Sequence, residues 1–185
     1  MFSGSLKTKQ MEKGLVHIYT GDGKGKTTAS VGLAVRALGH GWKVVYASFF
    51  KRPDTCGYNE VRVLKELGAT VFSFSEGMPM ANKHISREEY HSAVESGLSE
   101  LKKYIAGNKI DLLVLDEILI AIQCHFIEED ELKRFISEKP ASMELVLTGR
   151  GATAGLKELA DYVTNLSKEK HPFDRGISSR EGIEY

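Results

Sequence analysis

The sequence predicts an α/β fold, a mostly parallel central sheet flanked by helices. Three observations predict it. Short apolar runs alternate with longer amphipathic stretches along the chain, and parallel strands need crossovers, which are usually helices. The first apolar run leads through a glycine-rich turn into a helical stretch. Finally, 42% hydrophobic and 27% charged residues over 185 positions describe a globular chain, and one of this length buries roughly 70% of its unfolded surface, enough for a single core with a pocket.

Each element has its own signal. Residues 15–20 (LVHIYT) read as the first strand, and residues 28–38 as a helix that Gly39 and Gly41 terminate. Residues 43–49 (KVVYASF) are β-branched and aromatic, as a buried strand requires. A helix over 59–67 carries Val61, Leu64 and Leu67 at helical spacing before Gly68, and a third strand covers 70–74. Gly and Pro make 77–84 (GMPMANKH) a loop. Ser86 with Glu89 three residues later forms a capping box. Tyr90, Val94, Gly97, Leu98, Leu101 and Ile105 then share one face of a long helix. Strands follow at 112–115 (LLVL), 144–147 (ELVL) and 162–166, with helices at 128–138 and 154–160. Residues 1–14 read as a flexible arm without a signal-peptide core, residues 15–185 as one domain, and the polar stretch 167–185 as a tail without a period.

Charge excludes some functions. The 25 Lys and Arg balance 25 Asp and Glu, so the basic excess of a nucleic-acid binder is missing. No uncharged apolar run approaches the roughly 20 residues of a membrane span. Cys56 and Cys124 have no metal-binding spacing and read as free thiols of a reducing compartment, so a cytoplasmic location is expected.

In such sheets ligands bind beyond the carboxyl ends of the strands. After the first strand stand Gly21, Asp22, Gly23, Lys24, Gly25, Lys26, Thr27 and Thr28. Glycines let backbone N–H groups curl around phosphate oxygens, the helix N-terminus adds positive potential, and Lys26 reaches the phosphates as a mobile charge. Thr27 offers a hydroxyl to Mg2+. The usual G-x-x-x-x-G-K-[ST] loop has glycine where this chain has Thr20, so the loop is a variant. Asp116 after LLVL is where a P-loop protein holds Mg2+; taken alone, Asp116-Glu117 also reads as a helix start. A P-loop by itself leaves the reaction open among kinases, hydrolases and other transfers.

The stretches GDGKGKTTASVGLAVRALGHG, SFFK, VLDE, LTGRGA and KHPFDRGISSREGIEY lie in that order in the chain. Together they resemble the P-loop ATP:corrinoid adenosyltransferases, over about residues 15–185. The resemblance implies a RecA-like P-loop NTPase fold, usually assembled as a homodimer. It also implies transfer of the 5′-deoxyadenosyl group of ATP to the cobalt of a reduced Co(I) corrinoid, with Mg2+ and an external reductant such as a reduced flavoprotein, in cobalamin biosynthesis or salvage. Under it the loop from Gly21 to Thr28 binds triphosphate, with Lys24 and Lys26 as cationic contacts. Thr27 and Glu117 bind Mg2+, and Asp116 lies in contact with the ion or just behind it. Arg36 is a phosphate contact or a solvated helix arginine. Lys51 and Arg150 contact ATP or corrin amides, or are surface charges.

One departure stands out. Well-studied members carry two aromatic residues where this chain has Met78-Pro79-Met80. Those rings are thought to displace the lower axial ligand of cobalt, whereas methionine fills apolar space but specifies geometry less well. Met78 and Met80 are therefore placed on the corrinoid side, with His171 of the KHPFD stretch. Two other functions compete: a P-loop ATPase or kinase, and a non-catalytic nucleotide-dependent corrinoid carrier. From composition the tail, KHPFDRGISSREGIEY, reads as a disordered end; the resemblance implies instead that it orders over either the dimer or the active site.

Overall fold

The computed structural model describes residues 13–51, 59–74, 77–79 and 84–184. Six strands form one all-parallel sheet: β1 (Val16–Thr20), β2 (Val44–Phe49), β3 (Thr70–Phe74), β4 (Leu112–Asp116), β5 (Glu144–Thr148) and β6 (Tyr162–Asn165). Their spatial order is β3-β2-β4-β5-β1-β6. The helices are α1 (Lys26–Gly39), α2 (Asn59–Glu66), α3 (Arg87–Gly107), α4 (Ile118–Gln123), α5 (Glu129–Ser137) and α6 (Ala154–Glu158). A short 3-10 turn, Pro172–Arg175, interrupts the tail.

Alternation along the strands builds two cores. Ile18, Val45, Ala47, Phe49, Leu113, Leu115, Leu145 and Leu147 point to one face, where Val94, Leu98, Leu101, Leu119, Leu132, Phe135 and Leu156 cover them. Val44, Tyr46, Leu112, Val114 and Val146 point to the other, where α1 contributes Ala34 and Ala37 and α2 contributes Leu64. Small side chains at Ser30, Ala34 and Ala37 bring α1 close to the sheet. β2 and β4 are buried at every position, whereas all of β6 is exposed, as expected of a four-residue edge strand.

Most boundaries move by one or two residues from the sequence reading. α1 begins at Lys26, because Gly25 takes a left-handed conformation (φ 119°) that ends the loop there. β4 and β5 each run one residue further, placing Asp116 and Thr148 on the strands themselves. The capping box of Ser86 and Glu89 forms as expected. Beyond the alternative of a helix start at Asp116-Glu117, no element was assigned over Ile118–Gln123 (ILIAIQ), yet it is helical, and its first five residues are buried. Burial on every side erases the period by which a surface helix is recognised. Among the described residues no helix is long and apolar enough to cross a membrane.

Candidate active site

The site lies where β1, β2, β4 and β5 end. Thr20 is still paired within the sheet, its carbonyl accepting the N–H of Leu166 at 2.8 Å. The position where other loops have their first glycine is strand here, and the loop proper starts at Gly21. Gly23 donates its N–H to the Leu166 carbonyl at 2.7 Å. A Cβ on Gly23 would fall 2.6 Å from that oxygen, and one on Gly21 (φ 108°) at 2.4 Å. The glycines therefore let the chain after β6 close against the loop, besides freeing N–H groups for a ligand. α1 starts with no side-chain cap, which leaves its first N–H groups available to an anion.

Lys26 folds back over this loop, its Nζ donating to the carbonyls of Gly21 and Gly23 at 2.8 Å each. Burial lowers its pKa, against the attraction of Glu117. Lys24 donates to the Ile183 carbonyl at 2.9 Å, and Asp22 accepts the backbone N–H of Lys168 at 3.0 Å. That N–H holds the Asp22 carboxyl below its usual pKa. Asp22 thus faces the tail, and the tail reaches the site: Gly182, Ile183 and Glu184 line the same cleft of about 410 Å³ as Lys24, Thr27, Thr28, Lys51, Met78 and Glu117.

Asp116 is the hub of the site and is fully buried. Its Oδ1 accepts from Thr148 Oγ1 at 2.7 Å and from Thr27 Oγ1 at 3.1 Å, while its Oδ2 receives Lys51 Nζ at 2.5 Å. Lys51 also donates to Thr27 Oγ1 at 3.1 Å and lies 3.8 Å from Glu60. The surface-charge reading of Lys51 is therefore wrong: only 6% of its side chain is exposed. Burial alone would lower its pKa, but Asp116 outweighs burial and the net shift is upward. Two left-handed residues make this arrangement, Phe50 (φ 58°) just before Lys51 and Glu117 (φ 65°) just after Asp116. Such a conformation costs of order 1–3 kcal/mol outside glycine and persists only where packing enforces it. Phe50 is held between Tyr90 and Phe126, with ring centroids 5.9 and 5.7 Å away. Glu117 is held by its own N–H, which donates to Thr148 Oγ1 at 2.9 Å. Burial first, then the Asp116 charge, raises the Glu117 pKa.

Sequence reasoning passed over Thr148, whose hydroxyl joins the two acidic residues. Its signal was a hydroxyl residue at the end of the apolar run ELVL, beside the P-loop strand. Replacing Thr148 with valine keeps the shape and leaves the Glu117 N–H without its partner, at a cost of about 1–3 kcal/mol. Thermal denaturation should show Thr148→Val melting several degrees lower and Thr148→Ser close to the parent chain. A Thr148→Val protein as stable as the parent would refute the linking role.

The donors suit a hard divalent cation. They are all oxygen: Thr27 hydroxyl, Asp116 and Glu117. Among the described residues no three His, Cys, Asp or Glu side chains converge into an all-protein cage, and Mg2+ typically takes one or two carboxylates together with substrate phosphates. Ser48 Oγ, buried without a partner among the described residues, lies in register with Asp116. An ammonium already rests on Thr27 and Asp116, marking a place where positive charge is favourable.

Arg36, His171 and Arg150 stand apart from the loop, the cleft lining and the Asp116 cluster. Arg36 is exposed in the last turn of α1, roughly 15 Å along the axis from Lys26 at 1.5 Å per residue. His171 caps the 3-10 turn, its Nδ1 accepting the Phe173 N–H at 3.2 Å. Arg150 is exposed and does not line the cleft, but its charge acts on Lys26 and Glu117. Met78 does line it, whereas Met80 and Cys56 lie outside the described residues.

A parallel sheet whose first strand passes through a glycine loop into a Lys-Thr helix start, facing an acidic residue two strands away, defines a P-loop nucleotide-binding protein. Within that class the chain belongs to the family ATP:corrinoid adenosyltransferase BtuR/CobO/CobP, whose model matches residues 12–185. It is 33% identical to a corrinoid adenosyltransferase of Escherichia coli (strain K12) over 95% of this chain and 88% of that protein. It is 34% identical to one from Sinorhizobium sp. over 97% and 84%. It is 32% identical to corrinoid adenosyltransferase CobA of Salmonella typhimurium over 95% and 88%.

Proposed function

We propose that this protein transfers the 5′-deoxyadenosyl group of ATP to the cobalt of a Co(I) corrinoid. The observation that carries the reading is the hydrogen bond of Thr27 to Asp116 beside the loop that Lys26 closes, at one end of the sheet, in a chain of the corrinoid adenosyltransferase family. The electron pair of Co(I) forms the Co–C5′ bond, the C5′–O bond breaks, and its pair leaves on the triphosphate. Cobalt is the nucleophile, so no side chain has to remove a proton. The charge to be stabilised accumulates on the leaving triphosphate, where Lys24 lines the cleft, α1 starts uncapped and Lys26 can swing from its loop carbonyls.

In this reading Thr27, Asp116 and Glu117 hold Mg2+, which supplies positive charge to the leaving group. Electrons reach the corrinoid from an external donor such as a reduced flavoprotein, and the enzyme works in the cytoplasm as a homodimer. Apolar side chains exposed on and after β6, among them Tyr162, Val163 and Phe173, support the dimer. The half-buried free thiol of Cys124 fits a reducing compartment.

Anaerobic incubation with ATP, Mg2+ and a chemically reduced corrinoid tests the reaction. Intact tripolyphosphate and a light-sensitive Co–C product are expected. ADP with phosphate would make the protein a hydrolase, and ligand binding without either product would make it a carrier.

Met78 on the cleft wall adds a prediction about substrate. A flexible thioether in place of aromatic rings displaces a strong lower cobalt ligand less effectively. Starting from Co(II), cobinamide should therefore be adenosylated at least as fast as cobalamin. A clear preference for cobalamin would sink this view of the loop.

A further inference from the structure

Lys51 holds the two oxygens that the proposed metal site needs. Its Nζ lies 2.5 Å from Asp116 Oδ2 and 3.1 Å from Thr27 Oγ1. Mg2+ binds oxygen at about 2.0–2.1 Å, so an ion bridging those two atoms from the side that Lys51 occupies would fall where the ammonium now sits. The side chain is placed there with some force, since the left-handed Phe50 turns the chain at the end of β2 and the ring of Phe50 is locked in an aromatic cluster. Without a cation the fully buried Asp116 and the neighbouring Glu117 would face each other as like charges. Lys51 also lines the cleft, within reach of an anion entering it.

Resting on the metal reading above, we infer that Lys51 is a tethered surrogate cation. Its ammonium holds Thr27 and Asp116 in place while the divalent ion is absent, competes with that ion for them, and gives way when a triphosphate offers it another partner. Metal and triphosphate then bind synergistically, because each makes room for the other. The free protein is protected from carrying a metal without its nucleotide. Lys51 acts here as a positioning residue.

Mn2+ titration followed by electron paramagnetic resonance tests this on the intact chain, with and without tripolyphosphate. Lys51→Gln keeps an N–H donor toward Asp116 but no charge; Lys51→Met is the second variant, and circular dichroism checks that each is folded. Arg62→Gln is the control, since it removes an exposed charge of α2 that pairs with Glu66 and has no part in the proposed site. Without tripolyphosphate, the Lys51 variants should bind Mn2+ about tenfold more tightly than the parent chain, a usual size for coupling between sites. Arg62→Gln should change little, and tripolyphosphate should tighten Mn2+ binding far more in the parent than in the Lys51 variants. Equal Mn2+ affinities in the parent and the folded Lys51 variants would overturn the inference, as would an equal gain in Arg62→Gln. Absence of Mn2+ binding in every protein, even with tripolyphosphate, would remove the metal site itself and the inference with it.

Discussion

Replacing Lys26 with alanine is expected to slow adenosyl transfer on the order of 10²-fold or more, the usual cost of losing a preorganised stabiliser of transition-state charge. Among the described residues, Lys26 Nζ donates its hydrogen bonds to two carbonyls of its own loop, Gly21 and Gly23. Neutral acceptors hold an ammonium less firmly than phosphate does, so a triphosphate entering the cleft draws Lys26 away from them. The charge that develops as the C5′–O bond breaks then falls on a group with the ammonium already beside it. Arginine should not restore the rate, because a planar guanidinium is larger and differently shaped than a point charge fitted inside a tight loop. Single-turnover transfer, read from the light-sensitive product, measures the effect. A Lys26→Ala protein that folds normally and keeps its rate would rule out this role for the loop.

Removing Asp116 should have the largest effect on stability. Alanine there leaves the buried Lys51 ammonium without its main counter-charge and takes away the acceptor of Thr27 and Thr148. Breaking a buried pair from one side costs about 3–5 kcal/mol. In a chain of this size that lowers the melting temperature on the order of 10 °C. Part of the loss should be recovered by adding Lys51→Met to Asp116→Ala, since the double variant has no stranded charge. Melting curves for the two single variants and the double one give the coupling directly. Simple additivity would show that the pair does not stabilise the site as described.

Much of the fold was legible because its signals are local. Alternating apolar runs identified six strands, and the glycines with Lys26-Thr27 identified the loop. The signals failed where burial removed contrast or where a conformation has no residue preference. Helix α4 went unrecognised because ILIAIQ is apolar on every face. Lys51 looked like a surface or ligand contact because nothing in SFFK announces that Phe50 is left-handed, a state that bulky side chains rarely adopt. The tail looked unstructured from its polar composition, yet its last residues meet Lys24 through a backbone carbonyl, a contact that any side chain in the tail would permit.

By itself, then, the sequence determined the layered parallel sheet, the phosphate loop and the family resemblance, because periodicity, glycine and motif spacing act within a few neighbouring residues. Only the tertiary structure decided how the charges are partnered. Lys51 and Asp116 stand 65 residues apart, and Thr27 and Asp116 stand 89 apart. Their contact follows from strand order and from two strained turns. For a fully buried carboxylate such as Asp116, whether the charge meets its partner at 2.5 Å or not at all depends on that packing and not on the residue types alone.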